Sequence, residues 1–158
     1  MRRIMITILL LALAALSCTR QPVPSPEQVG TKSVVELLRR QRGGLTEWQK
    51  FMLAIIWTES KGNPAAVGKA GDSGVMQLRE IYVAEVNRLY GTGYTIEDAF
   101  DIAKTLEMFD LLQDYYNPEH DIEKAIYYHN KSSAYKMKVL ENLALVERME
   151  AARRAVSR

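Results

Sequence analysis

The stretch Trp57-Thr58-Glu59-Ser60-Lys61-Gly62-Asn63-Pro64 closes a strongly apolar run that begins at Glu47. Thr46 and Gln49 have the T-x-x-Q spacing of a capping box, which predicts a helix start at that point. Gly62, Asn63 and Pro64 predict its stop. Between these signals lie Trp48, Phe51, Met52, Leu53, Ala54, Ile55, Ile56 and Trp57. Glu59 follows Ile56 by three residues, Ile55 by four and Met52 by seven, so at 3.6 residues per turn it shares their face. A carboxylate therefore falls on the face expected to be buried, one turn from the helix end. An ionised carboxylate there is costly unless paired, and a carboxyl removed from water favours its protonated form. A proton-bearing carboxyl is what general acid catalysis requires. The plain alternative is a Glu at a helix end whose side chain reaches water, and the helix pattern by itself leaves both open.

Outward from this helix the pattern stays helical. Ser33 to Gln41 is a short helix carrying Val34, Val35, Leu37 and Leu38, ended by Gly43-Gly44. After the Glu59 helix, Gly62, Asn63, Pro64, Gly68 and Gly71 mark a long loop. Asp72-Ser73-Gly74-Val75-Met76-Gln77 leads into a helix near Glu80 to Tyr90, closed by Gly91. Thr95 and Asp98 start the next helix, which is expected to run on to Tyr116 with Ile102, Leu106, Phe109, Leu112 and Tyr116 on one stripe. Asn117-Pro118 stops it. Asp121 caps a helix in which Ile122, Ala125, Ile126 and His129 share a face. The last helix runs from about Ser133 to Arg153, with Tyr135, Val139, Leu143, Val146 and Met149 in step. No segment alternates with period two. The expectation is an all-α domain of about six helices with one long loop.

The N-terminal end reads as targeting sequence. Arg2 and Arg3 form a positive region, and Ile4 to Leu16 is apolar but too short to span a bilayer. Ala14-Ala15-Leu16-Ser17-Cys18 brings small residues up to the only cysteine of the chain. This resembles the lipobox of bacterial lipoproteins, with Ala15 where Leu is commonest. The resemblance implies cleavage before Cys18 and a diacylglycerol on its thiol; an ordinary secretory peptide with an incidental Cys18 is the alternative. Residues 1–17 are then a signal peptide, and residues 18–31, with Pro22, Pro24 and Pro26, an extended tether rising about 3 Å per residue where PPII-like. Residues 32–158 form one domain of ordinary size. The chain carries 21 basic and 19 acidic residues, and loss of Arg2 and Arg3 leaves the mature chain near neutral. Nothing in that balance points to nucleic acid, which needs a basic patch. Arg148, Arg153, Arg154 and Arg158 are interleaved with Glu147 and Glu150 and read as a solvated helix end.

The chemistry narrows by residue type. His120 and His129 have no zinc spacing, no glycine-rich phosphate loop occurs, and no nucleophile elbow is present. No metal or cofactor is expected. Three blocks remain, in order: Glu59-Ser60 with Asn63-Pro64-Ala65-Ala66; Gly74-Val75-Met76-Gln77 preceded by Asp72; and Ala125-Ile126-Tyr127-Tyr128-His129-Asn130. They resemble the E-S-x-x-N-P-x-A, G-L-M-Q and A-x-x-Y-N-A-G blocks of the SLT-type lytic transglycosylases (glycoside hydrolase family 23, in the wider lysozyme-like fold). The third block departs from the pattern: His129 stands for the usual Tyr, and Lys131-Ser132 for Ala-Gly.

The resemblance implies a lysozyme-like helical domain in which Glu59 is the single catalytic acid/base. Glu59 would protonate the oxygen leaving N-acetylmuramic acid in the MurNAc-β-1,4-GlcNAc bond of peptidoglycan. It would then take the proton of the C6 hydroxyl as that oxygen attacks C1, giving a 1,6-anhydro sugar without water. The usual glycosidase instead uses a pair of carboxylates. Gln77, Met76 and Asn130 are expected on the substrate side of the cleft, although Met76 also suits the core and Gln77 a helix entry. Tyr128 and His129 compete for the place beside Glu59, about 100° apart on their helix. Ser60, Ser73 and Gly74 are expected to shape the loop rather than touch sugar, Gly74 through a tight turn or close backbone approach. Asn63 reads as a turn residue. Asp72 either braces the loop through backbone bonds or holds a water for a lysozyme-like hydrolase. A non-catalytic peptidoglycan-binding lipoprotein is the third possibility. In each case the partners expected are glycan strands and, through Cys18, a membrane, with the chain exported to the cell envelope as a monomer.

Overall fold

Helix α1 spans Glu47–Ser60, and the sequence signals at both its ends are visible in atomic detail in this computed structural model, which describes residues 44–156. The Thr46 hydroxyl accepts from Gln49 N at 3.2 Å, and Gln49 Oε1 accepts from Thr46 N at 2.9 Å, completing the capping box. Lys61 and Gly62 turn left-handed after the last residue, with φ of 56° and 81°. Every residue from Phe51 to Ile56 is buried, so α1 is enclosed around its circumference. Each large apolar side chain buried this way contributes about 1.5–3 kcal/mol. The signal segment, Cys18, the tether and the helix expected at Ser33 to Gln41 lie outside the described residues.

Helices α2 (Glu80–Tyr90), α3 (Ile102–Tyr116), α4 (Ile122–His129) and α5 (Ser133–Val156) follow α1 in the chain. Alpha-helices account for most of the described residues, and the only β pairing among them is two isolated bridges, Val67 with Ser73 and Ser73 with Leu78. The fold is all-α and lysozyme-like. One expected helix is divided. Thr95 and Asp98 do form a capping box, but it opens a short 3-10 helix, Ile96–Phe100. Asp101 then breaks the chain and caps α3 afresh, its carboxylate accepting from Ala103 N at 2.8 Å and Lys104 N at 3.1 Å. Two local caps in succession outweigh the continuous apolar stripe.

The core joins Phe51, Met52 and Ile55 of α1 to Met108 and Phe109 of α3, Ile126 of α4, and Val75, Met76 and Leu78 of the loop. Trp48 sits at one end. Its ring packs 5.0 Å from Phe51 and stacks 4.3 Å from His120, and its Nε1 donates to Asp110 Oδ1 at 2.9 Å. Burial pushes the Asp110 carboxyl above its ordinary value, the Trp48 bond opposing it. His120 also meets Asp114 at 2.8 Å, so this histidine serves the α3–α4 turn. The longest helix, α5, lies along α1. Asn142 Nδ2 donates to Thr58 Oγ1 at 2.9 Å, fixing α5 to the turn that carries Glu59.

Candidate functional site

Glu59 occupies the last turn of α1 and His129 the last residue of α4. His129 Nε2 lies 3.0 Å from Glu59 Oε1, with the two side chains 8% and 19% exposed. The pair is therefore largely dry, and Glu59 keeps a narrow face to solvent. The His129 ring is held on two sides. It stacks 5.8 Å from Tyr135 at 25° and meets Phe109 edge-on at 6.2 Å. A ring clamped between two aromatic rings has little rotational freedom, so its nitrogen stays aimed at the carboxylate.

Tyr135, in the first turns of α5, was legible in the sequence only as a member of the apolar stripe. Its hydroxyl is buried without a hydrogen-bond partner among the described residues. Burial pushes that phenol up, and the nearby Glu59 charge pushes it further. It approaches Glu59 without closing a bond of ordinary geometry. An unpaired buried hydroxyl costs about 1–3 kcal/mol. Such a group is a proton-bearing donor beside the carboxylate, available to an oxygen that enters between them.

The loop of residues 61–79 follows the end of α1 and is held by bonds among its own residues and to Ser60. Ser60 Oγ donates to Val75 O at 2.8 Å and accepts from Gly62 N at 3.1 Å, clasping the loop to the end of α1. Asn63 Oδ1 accepts from Ala65 N at 3.0 Å. Ser73 is buried and exchanges backbone bonds with Leu78 at 2.8 and 2.9 Å. Gly74 has φ of 73°, and a Cβ there would lie 1.6 Å from the Ala99 carbonyl oxygen. The loop can therefore sit on the 3-10 helix only with glycine at this position.

The other expected side chains make their contacts elsewhere. Gln77 takes φ of 51° and donates its amide to Gly74 O at 2.9 Å and Ala66 O at 3.1 Å. Its donor atom is thus spent inside the loop, and its carbonyl oxygen takes no part in those two bonds. Met76 is fully buried in the core, in line with the core alternative that its sequence position also allowed. The loop turns Val75 and Met76 inward as filler under its own backbone. Asp72 accepts from Gly68 N at 2.7 Å through its backbone and points its carboxylate at Arg79, 3.7 Å away. Tyr128 is 46% exposed and packs on Tyr116 at 6.0 Å. Of the two candidates on α4, His129 is the one that faces the carboxylate. Asn130 is exposed, and its Oδ1 accepts from Ser132 N at 2.9 Å.

Chemically, the site offers one carboxylate able to exchange a proton, one imidazole bonded to it and one phenol beside it. No group of three or more His, Cys, Asp or Glu among the described residues could hold a metal ion. None of the described helices is long and apolar enough to cross a membrane. No curated protein and no solved structure matches the chain. The family model described as the transglycosylase SLT domain does match, over residues 38–136, a span that contains Glu59, the loop, His129 and Tyr135. With more than half of its residues inside that match, the chain belongs to the transglycosylase SLT family, whose domains cleave peptidoglycan in the manner of lytic transglycosylases.

Proposed function

We propose that Glu59 is the single acid/base of a lytic transglycosylase that cleaves the MurNAc-β-1,4-GlcNAc bond and leaves 1,6-anhydroMurNAc. The observation that supports this most is the nature of the group bonded to Glu59. It is an imidazole at 3.0 Å, not a second carboxylate. With Nε2 donating to Oε1, the other Glu59 oxygen carries the working proton toward the solvent-facing side. That proton passes to the glycosidic oxygen as the bond to C1 breaks. The Glu59 oxygen that gave it up then accepts the proton of the C6 hydroxyl while that hydroxyl attacks C1. The proton count on Glu59 is restored and no water enters the product. Tyr135 supplies a hydroxyl to the reacting sugar or to the carboxylate in its ionised phase, which removes the cost of leaving that hydroxyl unpaired.

Asp72 is the residue a hydrolase would need. Its carboxylate faces Arg79, and that pairing favours a bracing role over water activation. Cys18 carries the lipid anchor in this reading, which places the domain at a membrane of the cell envelope behind a proline-rich tether. Cys18→Ser should move the protein from the membrane fraction to the soluble fraction; unchanged fractionation would remove the anchor from the account.

The decisive variant is Glu59→Gln. Purified peptidoglycan sacculi digested with it should release muropeptides at a rate lower by about two to four decades, the usual weight of an acid/base residue, with retention on sacculi unchanged. Wild-type turnover surviving in the variant would exclude Glu59. Equal retention by both proteins with cleavage by neither would point to a non-catalytic glycan-binding domain.

A further inference from the structure

Immediately beyond His129 lies a cavity between the end of α4 and the start of α5. Its volume is about 290 Å³, and Tyr127, Asn130, Lys131, Ser132, Ser133 and Lys136 line it, with Ile126 at its base and Glu123 at its rim. The cavity coincides with the place where the sequence leaves its family pattern, since Lys131-Ser132 stands for Ala-Gly. Its walls also adjoin His129 and Tyr135 along the chain. Asn130 follows His129, while Ser133 and Lys136 flank Tyr135 along α5. The cavity is therefore a neighbour along the chain of His129 and Tyr135, the two side chains set against Glu59.

The lining has a definite chemistry. Lys131 Nζ stands 5.3 Å over the Tyr127 ring, and among the described residues no acid lies within ion-pair reach of it. Lys136 pairs with Glu123 at 3.0 Å, with the two side chains 41% and 72% exposed. An ion pair that open to water is weak and readily exchanged for another anion. Two ammonium groups, three hydroxyls and an amide thus belong to the lining, against one exposed carboxylate. Such a set suits a carboxylate together with amide groups.

We propose that this cavity binds the carboxylate-bearing peptide arm carried by the muramic acid next to the scissile bond, and that it makes the enzyme prefer peptide-substituted strands over bare glycan. The proposal rests on the reading of the chain as a peptidoglycan-cleaving enzyme. It concerns Lys131 and Lys136 as specificity residues; neither touches the reacting atoms.

The test compares two substrates and two readouts. The full chain and its Lys131→Ala/Lys136→Ala variant are given intact sacculi, and sacculi whose peptides have been removed by an amidase. The variant should lose about tenfold in kcat/KM on peptide-bearing strands, carried by KM, as expected for one to two charge-assisted bonds. On peptide-free strands it should match the wild type. A Lys131→Arg/Lys136→Arg variant should keep the preference. Retention of the same two substrates by Glu59→Gln, with and without the lysine changes, gives the contrast without turnover, so a failure of the transglycosylase reading leaves this test intact. A soluble peptide with a free terminal carboxylate should compete for retention, and inorganic phosphate at the same concentration should not. Equal losses on both substrates, undiminished activity on peptide-bearing strands, or competition by phosphate alone would each overturn the proposal.

Discussion

Replacing His129 by Phe isolates the Glu59 contact. The phenyl ring keeps the stack on Tyr135 and the edge contact with Phe109, so the change removes both ring nitrogens, Nε2 among them, and keeps an aromatic ring in the packing. What is lost is the 3.0 Å bond to Glu59 Oε1. A hydrogen bond to a charged group contributes about 1.5–3 kcal/mol, and at about 1.4 kcal/mol per decade this is about a 10- to 150-fold fall in kcat/KM. Stability should change little. Glu59 keeps 19% of its side-chain surface in contact with solvent, and water can take up the freed oxygen, which holds the loss to about 1 kcal/mol. His129→Tyr restores the phenol of the family pattern and should recover part of the rate. The assay is release of soluble muropeptides from sacculi, with thermal melting of each variant alongside. Wild-type kcat/KM in the Phe variant would refute the view that His129 orients the catalytic carboxylate. A melting temperature lowered as far as by an ordinary core cavity would show that the ring's role is packing alone.

Gly74→Ala should be among the most damaging single-methyl changes in the domain, costing about 2–5 kcal/mol from left-handed strain and overlap with the Ala99 carbonyl; denaturant unfolding measures it, and a loss under about 1 kcal/mol would contradict the geometry. Tyr135→Phe removes an unpaired buried hydroxyl, so melting should stay level or rise by up to about 1 kcal/mol equivalent while turnover falls; a clear loss of stability would show that the hydroxyl has a partner. Glu85 is held down to about 2 from 4.5 by hydrogen bonds from Arg88 and then Tyr116. A depressed carboxylate stabilises the fold above its ordinary value and loses that contribution as pH falls toward its folded value. The melting difference between wild type and Glu85→Gln should therefore be full at pH 6 and vanish near pH 2; a difference that grows on acidification would reverse the assignment.

How far the sequence could be read depended on how local each signal was. The α1 boundaries were legible because the Thr46–Gln49 box and the Gly62-Asn63-Pro64 stop are set by neighbouring residues. Glu59 stood out because one carboxylate interrupted an otherwise apolar face. The break at Asp101 was hidden because the stripe through Ile102 and Leu106 continues the phase expected of one helix, and only the double cap on Ala103 N and Lys104 N ends the competition. The choice between Tyr128 and His129 turns on a 100° rotation that periodicity sees but cannot assign without the packing of Phe109 and Tyr135. Tyr135 itself looks like any core aromatic in sequence, and its role appears only when α5 is laid along α1. Met76 and Gln77 depend on the left-handed turn at Gln77, a backbone state that a non-glycine residue does not announce.

The central claim is that one carboxylate both gives and takes the proton, so that the sugar's own hydroxyl and not water closes the reaction. Digestion of sacculi by the full chain in water enriched in oxygen-18, followed by mass analysis of the released muropeptides, tests this directly. The account predicts anhydromuramyl products lighter by one water than their reducing counterparts and carrying no heavy oxygen. Reducing ends labelled with oxygen-18 would contradict it and assign the site to a hydrolase.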